Sequence, residues 1–283
     1  MTGPWTGRRR DADSQSFEWG LHDDRGVTLR HVGDDGDAAV EPERGERAGF
    51  DEGDPSDSKA VIRAREHDLH LHVLTAHGVR CVNGPRALER TVDKSWAGAL
   101  LADAGVPTPP TIVCEQYSGA MDAFERLGGD VVVKPLFGAM GNGIVRVEDR
   151  DVAHRVFRAL ELERTVYYVQ RTLAPAGRRD LRVLVVGNEI AGAMERVTDL
   201  WRANIARGAR PRLVALSEAE RDLALSAAAA LQADIAGVDL LVSGGESVVV
   251  EVNGIPGWQA LQSICADDLA ARVVNACEAL VTA

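Results

Sequence analysis

Residues 236–258 constrain this chain more than any other stretch. Two runs rich in Val and Leu, Val238–Val242 and Val248–Val252, flank Ser243-Gly244-Gly245-Glu246-Ser247, a pattern that reads as an antiparallel hairpin. With the turn centred on Gly245, Val242 faces Val248, Leu240 faces Val250, and Asp239 stands opposite Glu251. Strand geometry then puts Asn253 on the face of Glu251, with Val250 and Val252 on the other. Like charges in one cross-strand pair repel. Either both carboxylates are solvated at a sheet edge or a cation sits between them, and the apolar residues around them point to a cleft and so to the cation. A hard divalent ion with oxygen ligands, magnesium carrying a nucleotide's phosphates, is the economical occupant.

A chain of 283 residues, 45% of them hydrophobic, can bury a core and is long enough for two lobes. Its net charge of −11 would by itself argue against an anionic ligand, but residues 11–60 hold fifteen Asp and Glu against five Lys and Arg, so the remainder is close to neutral. No basic stripe supports nucleic-acid binding. Cys81, Cys114, Cys265 and Cys277 show no paired or metal spacing and read as thiols of a reducing compartment. No apolar run reaches transmembrane length and Arg8-Arg9-Arg10 precedes acidic residues, so a soluble, cytoplasmic protein is expected.

Residues 1–60 have few large apolar residues and no sustained period, which predicts a disordered acidic segment. From Ala60 the pattern is helical to about Gly78, followed by a short strand at Val79–Val82 and a turn at Asn83-Gly84-Pro85. His67, His70, His72 and His77 do not place three ligands on one helix face with a carboxylate, so a solvated helix is the reading. Asp93 caps a helix over Lys94–Asp103. Strands are predicted at Thr111–Cys114, Val131–Lys134, Ile144–Val147, Val166–Gln170, Asp180–Asn188 and Ile190–Arg196, with Asp180 and Arg182 on one face. Helices are predicted over Gly119–Leu127, Asp151–Leu162, Ser217–Gln232 with a Ser217/Glu220 capping box, and Asp267–Leu280.

The turn Gly138-Ala-Met-Gly141-Asn142-Gly143 lies between two strands, where backbone N–H groups can meet an anion. Glycine also serves ordinary hairpin turns. The chain has only three lysines, and two of them, Lys94 and Lys134, sit at element ends here, as a phosphate contact would use them.

These motifs, in order, resemble a known family. Asn83, Asp93-Lys94, Pro107-Thr-Pro, Val-Val-Lys134-Pro, the Gly138–Gly143 loop, Gln170, Asp180-Leu-Arg182, Glu195-Arg196, Arg202-Ala-Asn204, Ala-Gly-Val-Asp239 and Glu251-Val-Asn253 are similar to the ATP-grasp carboxylate–amine ligases, and within them to the RimK-type α-L-glutamate ligases. The resemblance covers roughly residues 60–283. The Leu136–Gly141 loop, Trp201 and Gly254-Ile-Pro-Gly-Trp258 look most like the branch that glutamylates the pterin coenzyme tetrahydromethanopterin.

The resemblance implies an α+β ATP-grasp fold, two lobes clasping ATP. It divides the chain into a disordered segment at 1–60, a remnant of the preceding α/β domain at 61–92, a small lobe at 93–165 and a large lobe with the metal site at 166–283. It implies that Lys94 and Lys134 contact the nucleotide phosphates under the Gly138, Gly141, Asn142 and Gly143 loop. Gln170, Arg171, Thr172 and Leu173 would line the adenine pocket, mostly through backbone groups, and Asp180 would face the nucleotide. Asp239, Glu251 and Asn253 would hold Mg2+ or Mn2+, and Arg196, Arg202 and Asn204 would face the transferred phosphoryl group. The implied partners are L-glutamate and a small-molecule carboxylate acceptor, or else a protein C-terminus or amino-group carrier protein. Ligases of this family are often symmetric dimers or tetramers, which leaves a homo-oligomer open here, and the resemblance implies neither a nucleic-acid nor a membrane partner. Relatives carry a compact α/β domain ahead of Asn83, so a shortened or diverged front is expected here. That front leaves open a third reading, a nucleotide-binding remnant with a regulatory role.

Overall fold

The structure is a computed structural model that describes four strands between residues 16 and 32, by their backbone, and residues 70–282 apart from 138–142, 163, 174–176, 199–204 and 206–207. Two antiparallel sheets carry the fold. The first has six strands in the order β4 (Arg30–Val32), β1 (Ser16–Trp19), β5 (Thr111–Cys114), β8 (Tyr167–Arg171), β6 (Val131–Lys134), β7 (Val145–Val147). The second has five, in the order β11 (Arg210–Leu213), β10 (Glu189–Val197), β9 (Arg179–Val186), β12 (Ile235–Ser243), β13 (Glu246–Asn253). β2 (Leu21–His22) and β3 (Gly26–Val27) pair with each other. Thus β1 to β4 fall inside the segment expected to be disordered, and β1 pairs with β5; the rest of 1–69, including His67, lies outside the described residues.

Alternation along the strands of the first sheet assigns its two faces. Ile112, Cys114, Val131, Val133, Tyr167 and Val169 pack beneath the helices α3 (Tyr117–Arg126) and α4 (Arg150–Leu162), with Phe124 and Phe157 filling the layer. Val113 and Tyr168 point the other way, as part of a separate small cluster with Ala102.

In the second sheet Leu181, Val183, Val185, Val238 and Leu240 pack against the alanine-rich helix α5 (Glu218–Leu231) and against α1 (Pro85–Val92) and α2 (Lys94–Asp103). Ser217 caps α5 in a complete capping box with Glu220. The opposite face carries Leu184, Val186 and Met194 at one end, under α6 (Gln259–Gln262) and α7 (Leu269–Thr282). The same face at its other end is polar. The sheets are tied together where Val249 N donates to Pro107 O at 2.8 Å.

The central hairpin forms with a different register from the one expected. Gly244 and Gly245 have φ of +62° and +87°, a two-residue turn with both central residues left-handed. Leu240 therefore faces Val249 and Val242 faces Ser247, where the sequence had suggested Val250 and Val248. A bulge between Asp239 and Leu240 absorbs one residue and restores the pairing of Asp239 with Glu251.

One predicted strand does not form. Residues 79–82 follow the helical residues 70–76 as irregular chain, with Val79 exposed and no strand beside them among the described residues. His72 Nε2 is 2.7 Å from Glu89 Oε1, an ordinary surface pairing.

Candidate active site

The polar end of the second sheet presents one row of side chains per strand. β10 supplies Arg196, β9 supplies Asp180 and Arg182, β12 supplies Asp239, and β13 supplies Glu251 and Asn253. Alternation dictates this, since residues 180 and 182 share a face while Leu181 and Val183 go to the core. Facing that row, α2 begins at Lys94, held by Asp93, whose carboxylate accepts from Ser95 N at 2.8 Å and Trp96 N at 3.0 Å. Lys94 Nζ lies 3.7 Å from Glu251 Oε1. From the first sheet, Lys134 Nζ donates to Gln170 Oε1 at 2.6 Å.

Asp239 is the centre of charge. It is 5% exposed, and its Oδ1 accepts from Arg182 Nε, while Oδ2 accepts from Arg182 Nη2 at 2.9 Å and Arg196 Nη1 at 3.3 Å. Arg196 also pairs with Asp180. Burial alone would raise the Asp239 carboxyl, but the guanidiniums of Arg182 and Arg196 hold it below the usual range. Asp180 goes the other way, to about 6: burial raises it, Arg196 pulls it back, and Asp239 adds repulsion. Burial pushes Lys134 down to about 8, partly offset by Glu251 and reinforced by Lys94.

The donors present suit a magnesium ion. An ionised carboxylate has about four lone-pair sites, and Asp239 uses three, leaving one on Oδ1. Asn253 Nδ2 donates to Gly237 O at 3.4 Å, and among the described residues its Oδ1, on the rung next to Glu251, accepts no side-chain hydrogen bond. Two carboxylates and an amide oxygen form the all-oxygen donor set a hard cation takes. Among the described residues no group of three or more His, Cys, Asp or Glu could hold a metal instead.

Eight of the residues expected from the sequence thus converge: Lys94, Lys134, Gln170, Asp180, Arg196, Asp239, Glu251 and Asn253. Arg171 turns away, its Nε donating to Leu127 O at 3.2 Å on the helix-covered side. The N–H groups of Arg171 and Thr172 are taken by Pro110 O and Asp130 O, so these two backbone donors are committed before any adenine arrives; Leu173 follows them, half-buried. Gly143 has φ +71°, and a Cβ there would sit 3.3 Å from Pro135 Cγ, so the end of the loop requires glycine. Gly138, Gly141, Asn142, Trp201, Arg202 and Asn204 lie outside the described residues.

Two residues have partners that the sequence does not reveal. Arg182 shares the face of Asp180, as alternation predicts, and it grips Asp239 more fully than Arg196 does. Asn83 was read as part of a turn; it is buried, its Nδ2 donating to Ile235 O at 2.7 Å and Gly254 O at 2.6 Å and its Oδ1 accepting from Ile235 N at 2.8 Å. Trp258 packs, partly buried, against the Leu184, Leu261 and Leu269 cluster.

The RimK-like ATP-grasp domain family matches residues 91–277. A protein of Sodalis glossinidius named "Probable alpha-L-glutamate ligase" is 35% identical over 205 residues, 71% of this chain and 69% of that protein. The ribosomal protein bS6--L-glutamate ligase of Salmonella paratyphi B is 34% identical over 197 residues, 69% of this chain but 66% of that protein. Among solved structures, a RimK domain ATP-grasp protein from Sphaerobacter thermophilus superposes with a TM-score of 0.61 at 23% identity, over 74% of this chain and 76% of that one. D-alanine--D-alanine ligase of Bacillus anthracis, complexed with ATP, does so with a TM-score of 0.58 at 17% identity, over 73% and 72%. None of the described helices is long and apolar enough to cross a membrane. By sequence and by fold, this chain belongs to the RimK-like ATP-grasp family of ligases.

Proposed function

We propose that this protein is an ATP- and magnesium-dependent ligase that joins the amino group of L-glutamate to a carboxylate through an acyl phosphate. The observation that carries the reading is the convergence of Lys94 and Lys134, from different elements, on the rung formed by Asp239 and Glu251. A lysine pair beside two acids suits a triphosphate with its counter-ion.

In this reading Lys94 and Lys134 hold the phosphate oxygens, while Asp239, Glu251 and Asn253 hold the magnesium ion. That ion, when bound, would supply positive charge to offset the charge of the phosphates. A carboxylate oxygen of the acceptor attacks the γ-phosphorus and ADP departs, giving the acyl phosphate. The glutamate amine then attacks the acyl carbon; the tetrahedral adduct expels phosphate, loses a proton and leaves an amide. Arg196 and Arg182, fixed by Asp180 and Asp239, supply positive charge where the phosphoryl and tetrahedral oxygens become negative. Arg202 and Asn204 are assigned to the same charge by their motif. No serine, cysteine or histidine nucleophile is needed.

Two acceptors follow from two different signals. The Leu136–Gly141 loop, Trp201 and the Gly254–Trp258 stretch favour a small pterin-type carboxylate, although Trp258 packs into the core cluster of α6 and α7. The Salmonella relative, a ribosomal protein bS6--L-glutamate ligase by name, favours a protein acceptor, such as a protein C-terminus. Purified full-length chain with MgATP and glutamate, assayed for ADP release against each acceptor in turn, separates them. Release that depends on one acceptor identifies it; nucleotide binding without turnover on either supports the non-catalytic reading instead.

A further inference from the structure

The acceptor of Lys134 is itself held in place from behind. Thr111 Oγ1 donates to Pro109 O at 2.8 Å. A carbonyl can only accept, so the hydroxyl proton on that bond is spent and Oγ1 accepts from Gln170 Nε2, 2.9 Å away. The Tyr168 hydroxyl closes the cluster, 3.4 Å from the same nitrogen and hydrogen-bonded with Thr111. The hydrogen bonds therefore decide which way the amide points. Its NH2 faces Thr111, and its Oε1 faces Lys134 Nζ at 2.6 Å.

The three side chains stand on adjacent strands: Thr111 on β5 directly opposite Gln170 on β8, and Gln170 beside Lys134 on β6. Thr111 and Gln170 are 1% and 4% exposed, so water does not compete for these bonds. An ammonium has three N–H bonds in a tetrahedral array. With one anchored on Gln170, the other two are aimed away from it. The anchor is also neutral. A carboxylate at position 170 would form an ion pair and compete with phosphate for the lysine's charge, whereas an amide dipole orients the ammonium and leaves that charge available.

We propose that Thr111 and Gln170 are positioning residues for Lys134, a directional hydrogen-bond chain running from Pro109 O to the ammonium that aims it at the nucleotide's phosphates. This rests on the reading of Lys134 as a phosphate contact, and it gives the Gln170 side chain a role distinct from any backbone contact to adenine.

The test is calorimetric binding of MgADP and MgATP to the full chain, which needs no knowledge of the acceptor. Lys134→Met checks the underlying reading: unchanged affinity there removes the phosphate role of Lys134. Given weaker binding by Lys134→Met, Thr111→Val is expected to raise the Kd for MgATP roughly three- to tenfold, the worth of one hydrogen bond. Thr111→Ser, which keeps the hydroxyl, is expected to restore it. A core control, Val169→Ala, lowers Tm without moving the Kd, so a merely structural loss is distinguishable. If Thr111→Val does not fold, Gln170→Leu carries the same expectation. A folded Thr111→Val or Gln170→Leu protein that binds MgATP as tightly as the parent overturns the proposal.

Discussion

Asp239 and Glu251 stand opposite one another in the β12–β13 ladder because a bulge puts them there. With a two-residue turn at Gly244-Gly245, a regular ladder would set Asp239 against Val250 and send Glu251 to the other face. One extra residue reverses this, so that both acids reach the cleft beside Lys94. Bulges beside active sites serve this end, re-aiming a side chain.

Gly237, two residues before Asp239, has no room for a side chain. A Cβ there would lie 2.8 Å from Pro256 Cβ and 2.9 Å from Arg182 Nη1. Gly237→Ala is expected to cost about 1–3 kcal/mol by overpacking and to displace the guanidinium that grips Asp239. Thermal unfolding measures the first effect, and the magnesium concentration needed for half-maximal nucleotide binding measures the second.

Asn83 fastens the chain ahead of α1 to the start of β12 and the end of β13, using three hydrogen bonds from one amide. Asn83→Ala leaves two carbonyls and one N–H buried without partners. A loss of roughly 3 kcal/mol is expected, read as a lower denaturant midpoint at constant m-value. Asn83→Asp keeps the acceptor but not the donors and is expected to be nearly as costly.

Lys134 provides a pH signature. With its ammonium lowered from an ordinary 10.5 to about 8 by burial, nucleotide affinity is expected to fall as pH rises through about 8. Asp239, held below the usual carboxylate range by Arg182 and Arg196, remains ionised throughout that range. For the ligand-free protein the sign is opposite. Between about 8 and 10.5 the unfolded chain binds this proton and the folded chain does not, so stability rises with pH over that window. Binding titrations at pH 7 and 9 test the first statement, and denaturant unfolding at the same pH values tests the second.

Much of this was legible in the sequence because alternation is a physical imprint of burial. The stretch Asp180-Leu181-Arg182-Val183 announces its two faces, and the Ser217/Glu220 box announces its helix. The bulge left no such mark, since one unpaired residue in an apolar strand does not disturb the composition. Val79–Val82 has the residues of a strand, but among the described residues no strand pairs with it. Asn83 was opaque for another reason: its partners are 152 and 171 positions away, and a polar residue before Gly-Pro reads locally as a turn. Arg182 was visible on its face, but only the fold shows that Asp239 on the next strand is its partner.

The account depends most on the acids at 239 and 251 binding metal together with nucleotide. Its most direct test is the affinity for ATP with excess Mg2+ and with chelator, in the parent chain and in Glu251→Gln. The parent is expected to bind ATP at least about tenfold more tightly with Mg2+, and Glu251→Gln to lose that gain while keeping its metal-free affinity. An equal gain in both proteins would contradict the assignment of this rung as the metal site.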